Sequence, residues 1–294
     1  MVEIPDAIAW WGREPAGAAW LRALPSLVER CAAEWGLELG RTFHGGVIAL
    51  TLAATRADGS EVVLKLRGPD PESDHEAAAL ACWDGRGAVR VLERDDGRRA
   101  LLLERLCPGT PLGARPEDEA TDVVGGLLRE LHALAPAPPG MQRLRDVARG
   151  WAEQLPARWE RHGRPFEEEL VDLAVETFLA QPPADARDVL LHQDLHAGNV
   201  LLDGDRWRAI DPKPLVGEPA FDGAAILRDR HWTLSEGELA RVVPRRLDRL
   251  AAASSYDRER LRRWGIAHTL AWGVDDEGVE PGMLACARAL LRAG

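Results

Sequence analysis

The stretch Leu190–Lys213, which reads LLHQDLHAGNVLLDGDRWRAIDPK, decides the fold of this chain. Two apolar runs enclose a loop of polar side chains, and the second run leads into the turn Asp203-Gly204. An Asp-Gly turn between apolar runs predicts a β-hairpin. The return strand ends at Asp211, so pairing of the two strands places Asp211 beside Asn199 on the loop.

Three side chains of this stretch are predicted to converge on one point: Asp194, Asn199 and Asp211. Two carboxylates and a carboxamide form the oxygen-ligand set that a magnesium ion carrying phosphate groups requires. The stretch therefore predicts a site for phosphoryl chemistry.

The composition singles out three rare residues. Of the 37 basic residues only two are lysine, Lys65 and Lys213, and the single asparagine is Asn199. A lone lysine is ordinarily a solvated surface charge, but a chain that otherwise uses arginine retains lysine where a compact charge is needed. Asn199 and Lys213 fall within the stretch that predicts phosphoryl chemistry, which favours a functional role for the rare residues.

The central stretch resembles the catalytic and metal loops of the protein kinase-like phosphotransferases. It is similar to those of the aminoglycoside phosphotransferases, whose catalytic loop reads H-x-D-x-x-x-x-N and whose metal loop has I-D where protein kinases have D-F-G. The string IDPKPLVGEPAFD, followed by ILRDR, most resembles the streptomycin 6-kinase and hydroxyurea phosphotransferase branch. The resemblance extends from about Phe43 through most of the chain.

This resemblance implies an α+β fold of the protein kinase-like type with two lobes. Residues 1–106 would form a small lobe with a five-stranded antiparallel sheet and one helix besides the N-terminal helix. Residues 107–294 would form a larger, mainly helical lobe with the catalytic and metal loops. ATP would bind in the cleft between the lobes, although the sequence leaves GTP open as the nucleotide.

The resemblance also assigns catalytic and metal-binding roles. Asp194 would accept a hydrogen bond from the attacking hydroxyl group, and His192 would support the loop. Asn199 and Asp211 would hold Mg²⁺. Asp222 resembles an acid that steadies the catalytic loop by accepting backbone hydrogen bonds.

In the small lobe, the resemblance assigns residues that bind the nucleotide. Lys65, on the strand EVVLKL, would orient the phosphates and pair with Glu76. Glycines allow the backbone to approach phosphates closely. The glycine turn and the connector between the lobes supply the remaining predicted contacts: Gly45, Gly46, Glu104 and Leu106, the last two through their main chain.

Several alternatives remain open at this stage. Gly45-Gly46 also fits an ordinary hairpin turn. Glu76 also fits a capping box that begins at Ser73. The pattern His192, Asp194, His196 offers ligands for a metal ion, but that interpretation leaves Lys65, Asn199 and Asp211 unexplained.

The substrate follows from the resemblance and from one acidic segment. The expected function is phosphorylation of a hydroxyl group on a streptomycin-like aminoglycoside, which inactivates the antibiotic. The alternative substrate is hydroxyurea or another small hydroxyl compound. The non-enzymatic alternative is a regulatory module that binds a nucleotide or another ligand. Asp275, Asp276 and Glu277 lie in an acidic linker and are candidates for recognition of substrate cations, unless the linker is simply a solvated loop.

Charge and hydropathy argue against a nucleic-acid-binding protein and against a membrane protein. The net charge of -11 disfavours nucleic-acid binding, which generally needs a concentrated basic surface. No apolar run is long enough to span a membrane, and no signal peptide pattern begins the sequence. We expect a cytoplasmic monomer or weak dimer.

Helical periodicity predicts the remaining elements. Apolar residues recur at a spacing typical of amphipathic helices. The predicted helices are Glu14–Trp35, with a bend or restart at Pro25, Pro116–Ala135, Leu144–His162, Phe166–Gln181, Glu218–Arg230, Ser235–Ala253, Tyr256–Trp272 and Pro281–Arg292.

Overall fold

The computed structural model describes residues 3–44, 46–133, 138–180 and 187–294. A 3₁₀ segment, Asp6–Arg13, precedes the first helix, α1 (Pro15–Trp35), whose apolar side packs against the small-lobe sheet. Gly36 ends α1 in the left-handed conformation, at a φ of 62°. Pro25 lies inside one continuous helix, so of the two predicted alternatives the restart is excluded and the bend stays a prediction.

The predicted five-stranded antiparallel sheet is confirmed, with the strand order β1-β2-β3-β5-β4. Lys65 lies on the central strand β3, opposite Thr51 and Leu101. The helix α2 (Glu76–Trp83) follows β3. The strands of this sheet are β1 (Leu37–Thr42), β2 (Ala49–Arg56), β3 (Glu61–Arg67), β4 (Val91–Asp95) and β5 (Ala100–Glu104).

The larger lobe is mainly helical. Among the described residues, no helix is long and apolar enough to cross a membrane. Its helices are α3 (Glu117–His132), α4 (Leu144–Arg161), α5 (Glu168–Leu179), α6 (Ala224–Leu227), α7 (Glu236–Ser254), α8 (Arg258–Gly273) and α9 (Pro281–Leu291).

Short strands hold the functional loops of this lobe. The predicted hairpin is present, and it pairs Val200 with Ala209. Another pair brackets the catalytic loop on its other side and places Leu191 opposite Leu215. These strands are β6 (Pro108–Pro111), β7 (Val189–Leu191), β8 (Val200–Asp203), β9 (Arg206–Ala209) and β10 (Leu215–Gly217), with β6 paired to β8.

One predicted helix differs from the structure. Over Glu218–Arg230 the chain forms a 3₁₀ turn, Pro219–Gly223, followed by the single-turn helix α6. Every residue from 220 to 229 is buried, so this segment has no amphipathic stripe and its conformation follows from its surroundings.

One hydrophobic core joins the two lobes. It includes Trp83 and Leu103 of the small lobe together with residues of α3, α7 and α8. The two lobes are therefore packed through shared apolar contacts, and the loops after β7 and β9 face the sheet across a cleft. The division of the chain at residues 106 and 107 stays a prediction.

Candidate active site

A buried ion pair lies at the centre of the cleft. Lys65 Nζ is 2.6 Å from Glu76 Oε1, and the two residues are only 5% and 1% exposed. Lys65 Nζ is also 2.9 Å from Asp211 Oδ1 in the other lobe. Burial alone lowers the pKa of Lys65, but the carboxylates of Asp211 and Glu76 raise it above its ordinary value, so the side chain stays charged.

The local structure around Glu76 decides between the two interpretations of its sequence. Helix α2 begins at Glu76 itself, and its N-cap residue His75 makes no side-chain capping bond. The preceding residues Pro71–Ser73 form a separate 3₁₀ turn that Asp70 caps. Glu76 therefore lies in the ion pair and is not part of a capping box.

The hairpin places Asn199 and Asp211 next to one another. The N–H of Ile210 donates to the carbonyl of Asn199 at 2.9 Å. Asn199 Nδ2 donates to the backbone carbonyl of Asp194 at 3.0 Å, which leaves the amide oxygen as its free end. Asp211 has a 44% exposed side chain and a φ of 59°, a strained value that turns it into the cleft.

These donors fit a magnesium ion. A carboxylate and a carboxamide oxygen on adjacent strand ends are hard oxygen ligands, and phosphate oxygens and water complete such a site. The metal site suggested by His192, Asp194 and His196 is absent. Among the residues that the structure describes, no group of three or more His, Cys, Asp or Glu side chains lies close enough to hold a metal ion.

Asp194 is held by an arginine. Arg228 donates to Asp194 Oδ1 at 3.3 Å, and both side chains are largely buried. Burial raises the pKa of Asp194, but Arg228, His196 and Lys213 lower it, and the result lies below the ordinary value. Asp194 is thus ionised at neutral pH and can accept a hydrogen bond from an acceptor hydroxyl group.

His192 lies behind the loop, away from the cavity. It is fully buried, its Nε2 is 2.9 Å from the carbonyl of Ile210, and its ring stacks on Trp83. Burial lowers its pKa, so the ring is neutral and donates to that carbonyl. This bond joins the catalytic loop to the segment between β9 and Asp211, which suits the supporting role expected for His192.

Asp222 accepts the backbone hydrogen bonds predicted for it. The N–H groups of His192 and Gln193 donate to its two oxygens, and His132 Nε2 is 2.9 Å from Oδ2. Gln193 has a φ of 67°, a left-handed conformation that these bonds maintain. Asp222 thus fixes the loop two residues before Asp194.

A cavity of about 320 Å³ brings most of the predicted residues together. Lys65, Glu76, Asp194, Asn199 and Asp211 all border it. A larger cavity of about 490 Å³, between α4, α5 and β10, contains none of the predicted site residues. The chemistry of the lining therefore identifies the cleft, whereas cavity size does not.

The sequence comparisons assign the chain to a family. A sequence model of the aminoglycoside/hydroxyurea antibiotic resistance kinases matches residues 37–277. The chain belongs to this family. It is 35% identical to streptomycin 6-kinase of Streptomyces griseus, over 99% of this chain and 98% of that protein. It is 40% identical to hydroxyurea phosphotransferase of Kitasatospora aureofaciens, over 94% of this chain and 82% of that protein.

The structural comparison confirms the protein kinase-like fold. A thermostable mutant of aminoglycoside phosphotransferase APH(4)-Ia, in a ternary complex with AMP-PNP and hygromycin B, superposes with a TM-score of 0.60. The match covers 92% of this chain and 98% of that one at 17% sequence identity. At this identity the likeness concerns the fold alone, and it confirms the expected two-lobed α+β architecture.

The predicted glycine turn, Gly45-Gly46, is described only in part. Gly45 lies outside the described residues, whereas Gly46 borders the cavity beside Val47 and Ile48. Among the described residues, a Cβ atom at Gly46 would meet only the carbonyl of Ala49, at 3.8 Å. Packing within the protein therefore does not require glycine here, which leaves close approach of a ligand as a reason for it.

Glu104 and Leu106 lie at the connector and do not border the 320 Å³ cavity. The Glu104 carboxylate accepts the N–H of Arg90 at 2.8 Å, so its side chain serves the local structure. Within the described part of the chain, the N–H and carbonyl groups of Leu106 form no hydrogen bond. Its backbone is thus available to a nucleotide base, which keeps the predicted main-chain role open.

The acidic linker lies outside the cleft. Asp276 pairs with Arg158 and Arg161, and an oxygen of Asp275 accepts the N–H groups of Glu277 and Gly278. None of Asp275, Asp276 and Glu277 borders the cavity. Two of the three carboxylates are engaged within the protein, and their role in substrate recognition stays a prediction.

Sequence reasoning missed two residues near the catalytic loop, Arg228 and Trp272. Arg228 binds the carboxylate of Asp194, and Trp272 contacts Arg228. Because all but two of the 37 basic residues are arginine, the identity of Arg228 carries no signal. Tryptophan is also common in this chain, with 11 residues, so Trp272 is not distinguished either.

Proposed function

We propose that the protein transfers the γ-phosphoryl group of ATP to a hydroxyl group of a streptomycin-like aminoglycoside and thereby inactivates the antibiotic. The observation that carries the proposal is a cavity between the lobes that Lys65, Glu76, Asp194, Asn199 and Asp211 all border. Membership of a family of antibiotic resistance kinases supports a phosphotransferase over a regulatory module that only binds its ligand.

The nucleotide would lie between the sheet and the loops of the larger lobe. Lys65, fixed by Glu76, would orient the phosphates that are not transferred, and the backbone near Gly46 would cover them. Asn199 and Asp211 would hold Mg²⁺, which neutralises phosphate charge when it is bound. Asp211 is paired with Lys65, so its carboxylate can bind both the Lys65 ammonium group and the Mg²⁺ ion that enters with the nucleotide.

Asp194 would position the acceptor. Phosphoryl transfer passes through a loose transition state, so alignment of the attacking oxygen contributes more than strong basicity. A carboxylate with a lowered pKa suits this task, because it accepts a hydrogen bond throughout and takes the proton late. His192 and Asp222 would keep the loop in place.

The relatives support two classes of acceptor. Streptomycin 6-kinase of Streptomyces griseus matches along nearly its whole length, which favours an aminoglycoside. Hydroxyurea is the second candidate acceptor: hydroxyurea phosphotransferase is 40% identical to this chain, but the match covers 82% of that protein. Both reactions transfer a phosphoryl group to oxygen, so the same residues serve either one.

A competition experiment separates the two acceptors. The protein is incubated with ATP, Mg²⁺, streptomycin and hydroxyurea together, and the phosphorylated products are identified by mass spectrometry. We expect phosphorylated streptomycin to dominate. Phosphorylated hydroxyurea alone would transfer the proposal to the second candidate, and ATP turnover without any phosphorylated acceptor would contradict both.

A further inference from the structure

The cavity is bordered by three side chains that carry a permanent positive charge: Lys65, Arg67 and Lys213. Lys65 is held between Glu76 and Asp211. Arg67 is buried behind the cavity and donates to the backbone carbonyls of Ser73 and Arg99. Two of the three cations are therefore committed to the protein itself.

Lys213 has a different environment. Its Nζ is 3.1 Å from Oε2 of Glu72, a side chain that is 45% exposed on the 3₁₀ turn of the small lobe. Glu72 does not border the cavity. The side chains of Lys213 and Glu72 are 20% and 45% exposed, so the pair is partly open to solvent and weakened by it. A phosphate group entering the cavity can therefore replace Glu72 as the partner of Lys213.

The backbone fixes Lys213 between the two functional loops. Its N–H donates to the carbonyl of His192 at 3.0 Å, and it follows Asp211 by two residues. Pro212 and Pro214 flank it, which restricts the backbone on both sides. The side chain thus starts from a fixed point between the loop that holds the attacking hydroxyl group and the loop that holds the phosphates.

Trp272 directs the side chain. Lys213 Nζ lies 4.7 Å from the centroid of the Trp272 ring, and Cζ of Arg228 lies 4.5 Å from the same centroid. Arg228 binds Asp194, so the ring places both cations close to this carboxylate. Lys213 is among the charges that lower the pKa of Asp194, which agrees with that proximity.

We propose that Lys213 is a further catalytic residue, whose ammonium group contacts the transferred phosphoryl group, and that Trp272 is the positioning residue that directs it there. The inference rests on the proposed function. In the reaction, the acceptor oxygen forms a bond to the γ-phosphorus while the bond from that phosphorus to the β–γ bridging oxygen breaks. ADP leaves with the electron pair, and the hydroxyl proton passes to Asp194.

The catalytic loop itself lacks a cation for this step. Between Asp194 and Asn199 there is no lysine or arginine, and Nδ1 of His196 accepts the N–H of Gly198. Negative charge spreads over the three equatorial oxygens in the transition state, and a compact ammonium group can follow them during transfer. Lys213 supplies this charge from the metal loop.

The experiment compares Lys213→Met with Lys213→Arg and Glu72→Gln. It measures kcat, KM for ATP and streptomycin, ATP hydrolysis without acceptor, and the dissociation constant of ADP. For Lys213→Met we expect kcat to fall about 100- to 1,000-fold, because the lost contact exists only with the transferred group. The affinity for ADP, which lacks that group, should stay within about threefold of the original.

Further variants separate catalysis from structure. Glu72→Gln removes the ion pair but leaves the cation, so it should keep kcat, and Lys213→Arg should recover part of the lost rate. Trp272→Phe should keep more activity than Trp272→Leu, because phenylalanine retains a ring face for the cation. Urea unfolding of each variant reports whether it is folded.

Each possible result is informative. A selective loss of kcat in Lys213→Met supports the inference. Full kcat in Lys213→Met, or an equal loss in Glu72→Gln, overturns it and leaves the proposed function standing. If the original protein hydrolyses ATP without phosphorylating an acceptor, the proposed function fails, and the hydrolysis rate of Lys213→Met still tests the inference. Absence of both activities in the original protein overturns both.

Discussion

Replacement of Asp222 by asparagine should loosen the catalytic loop and destabilise the protein. Asp222 is fully buried, and its oxygens accept the N–H groups of His192 and Gln193. A hydrogen bond to a charged group contributes about 1.5–3 kcal/mol, and a buried donor without a partner costs a similar amount. Because an amide has only one acceptor oxygen, one N–H group loses its partner and the other keeps a neutral one. His132 Nε2, which is 2.9 Å from Oδ2 of Asp222, also loses the charged carboxylate.

The expected loss in the free energy of unfolding of Asp222→Asn is about 2–4 kcal/mol, since the lower desolvation cost of the neutral amide offsets part of the loss. Asp194 lies only two residues from His192, and a displacement of about 1 Å at a reacting group can reduce the rate about 100-fold. We therefore expect kcat to fall by that factor while the affinity for ADP changes little.

Urea unfolding and coupled ADP release measure the two effects. Asp257→Asn is the matched control, because exposed Asp257 also accepts a backbone N–H group, from Arg260 at 2.8 Å at the start of α8. Asparagine is an equally good cap there, so its effect should be small. If Asp222→Asn unfolds at the same urea concentration as the original protein and keeps its kcat, the loop does not depend on Asp222.

Three further predictions concern pH and metal binding. Arg228→Gln removes the arginine that lowers the pKa of Asp194, so the acid limb of the pH profile of kcat/KM should shift to higher pH. An acid limb at the same pH would contradict the effect of Arg228 on the pKa of Asp194. Burial holds the pKa of His268 well below its ordinary value, so the neutral ring stabilises the fold fully above the pKa of the unfolded chain, and this contribution is lost as the pH falls below that pKa. His268→Leu should therefore reduce the decrease in the free energy of unfolding between pH 7 and pH 5 by up to about 2 kcal/mol. An unchanged decrease would refute this. Asn199→Ala should raise the Mg²⁺ concentration needed for half-maximal turnover about tenfold or more, and an unaltered requirement would exclude Asn199 as a ligand.

Local signals predicted much of the fold and of the cleft. The turn Asp203-Gly204 has a clear hairpin signature, and its return strand brings Asp211 to Asn199 as expected. The alternation in EVVLKLR likewise predicts the strand that carries Lys65. These features depend on residues that are close in sequence, which is why the pattern alone was sufficient.

Contacts between distant segments were not predictable from the same pattern. Arg228 and Asp194 are 34 residues apart and meet only because the segment 220–229 is buried all round. The sequence pattern predicts one helix there, but the segment around Asp222, which is buried against the catalytic loop, forms a 3₁₀ turn. The carboxylate of Asp276 appeared available in the sequence, but arginines of α4 bind it.

The most direct test of the account is the effect of Asp194→Asn on phosphoryl transfer from ATP to streptomycin. The account predicts that the phosphorylated product forms at least about 100 times more slowly, because the acceptor hydroxyl group loses the carboxylate that orients it. ADP should bind with nearly unchanged affinity, since Lys65 and Asp211 remain. Product formation at the original rate would contradict the assignment of the catalytic residue and, with it, the proposed mechanism.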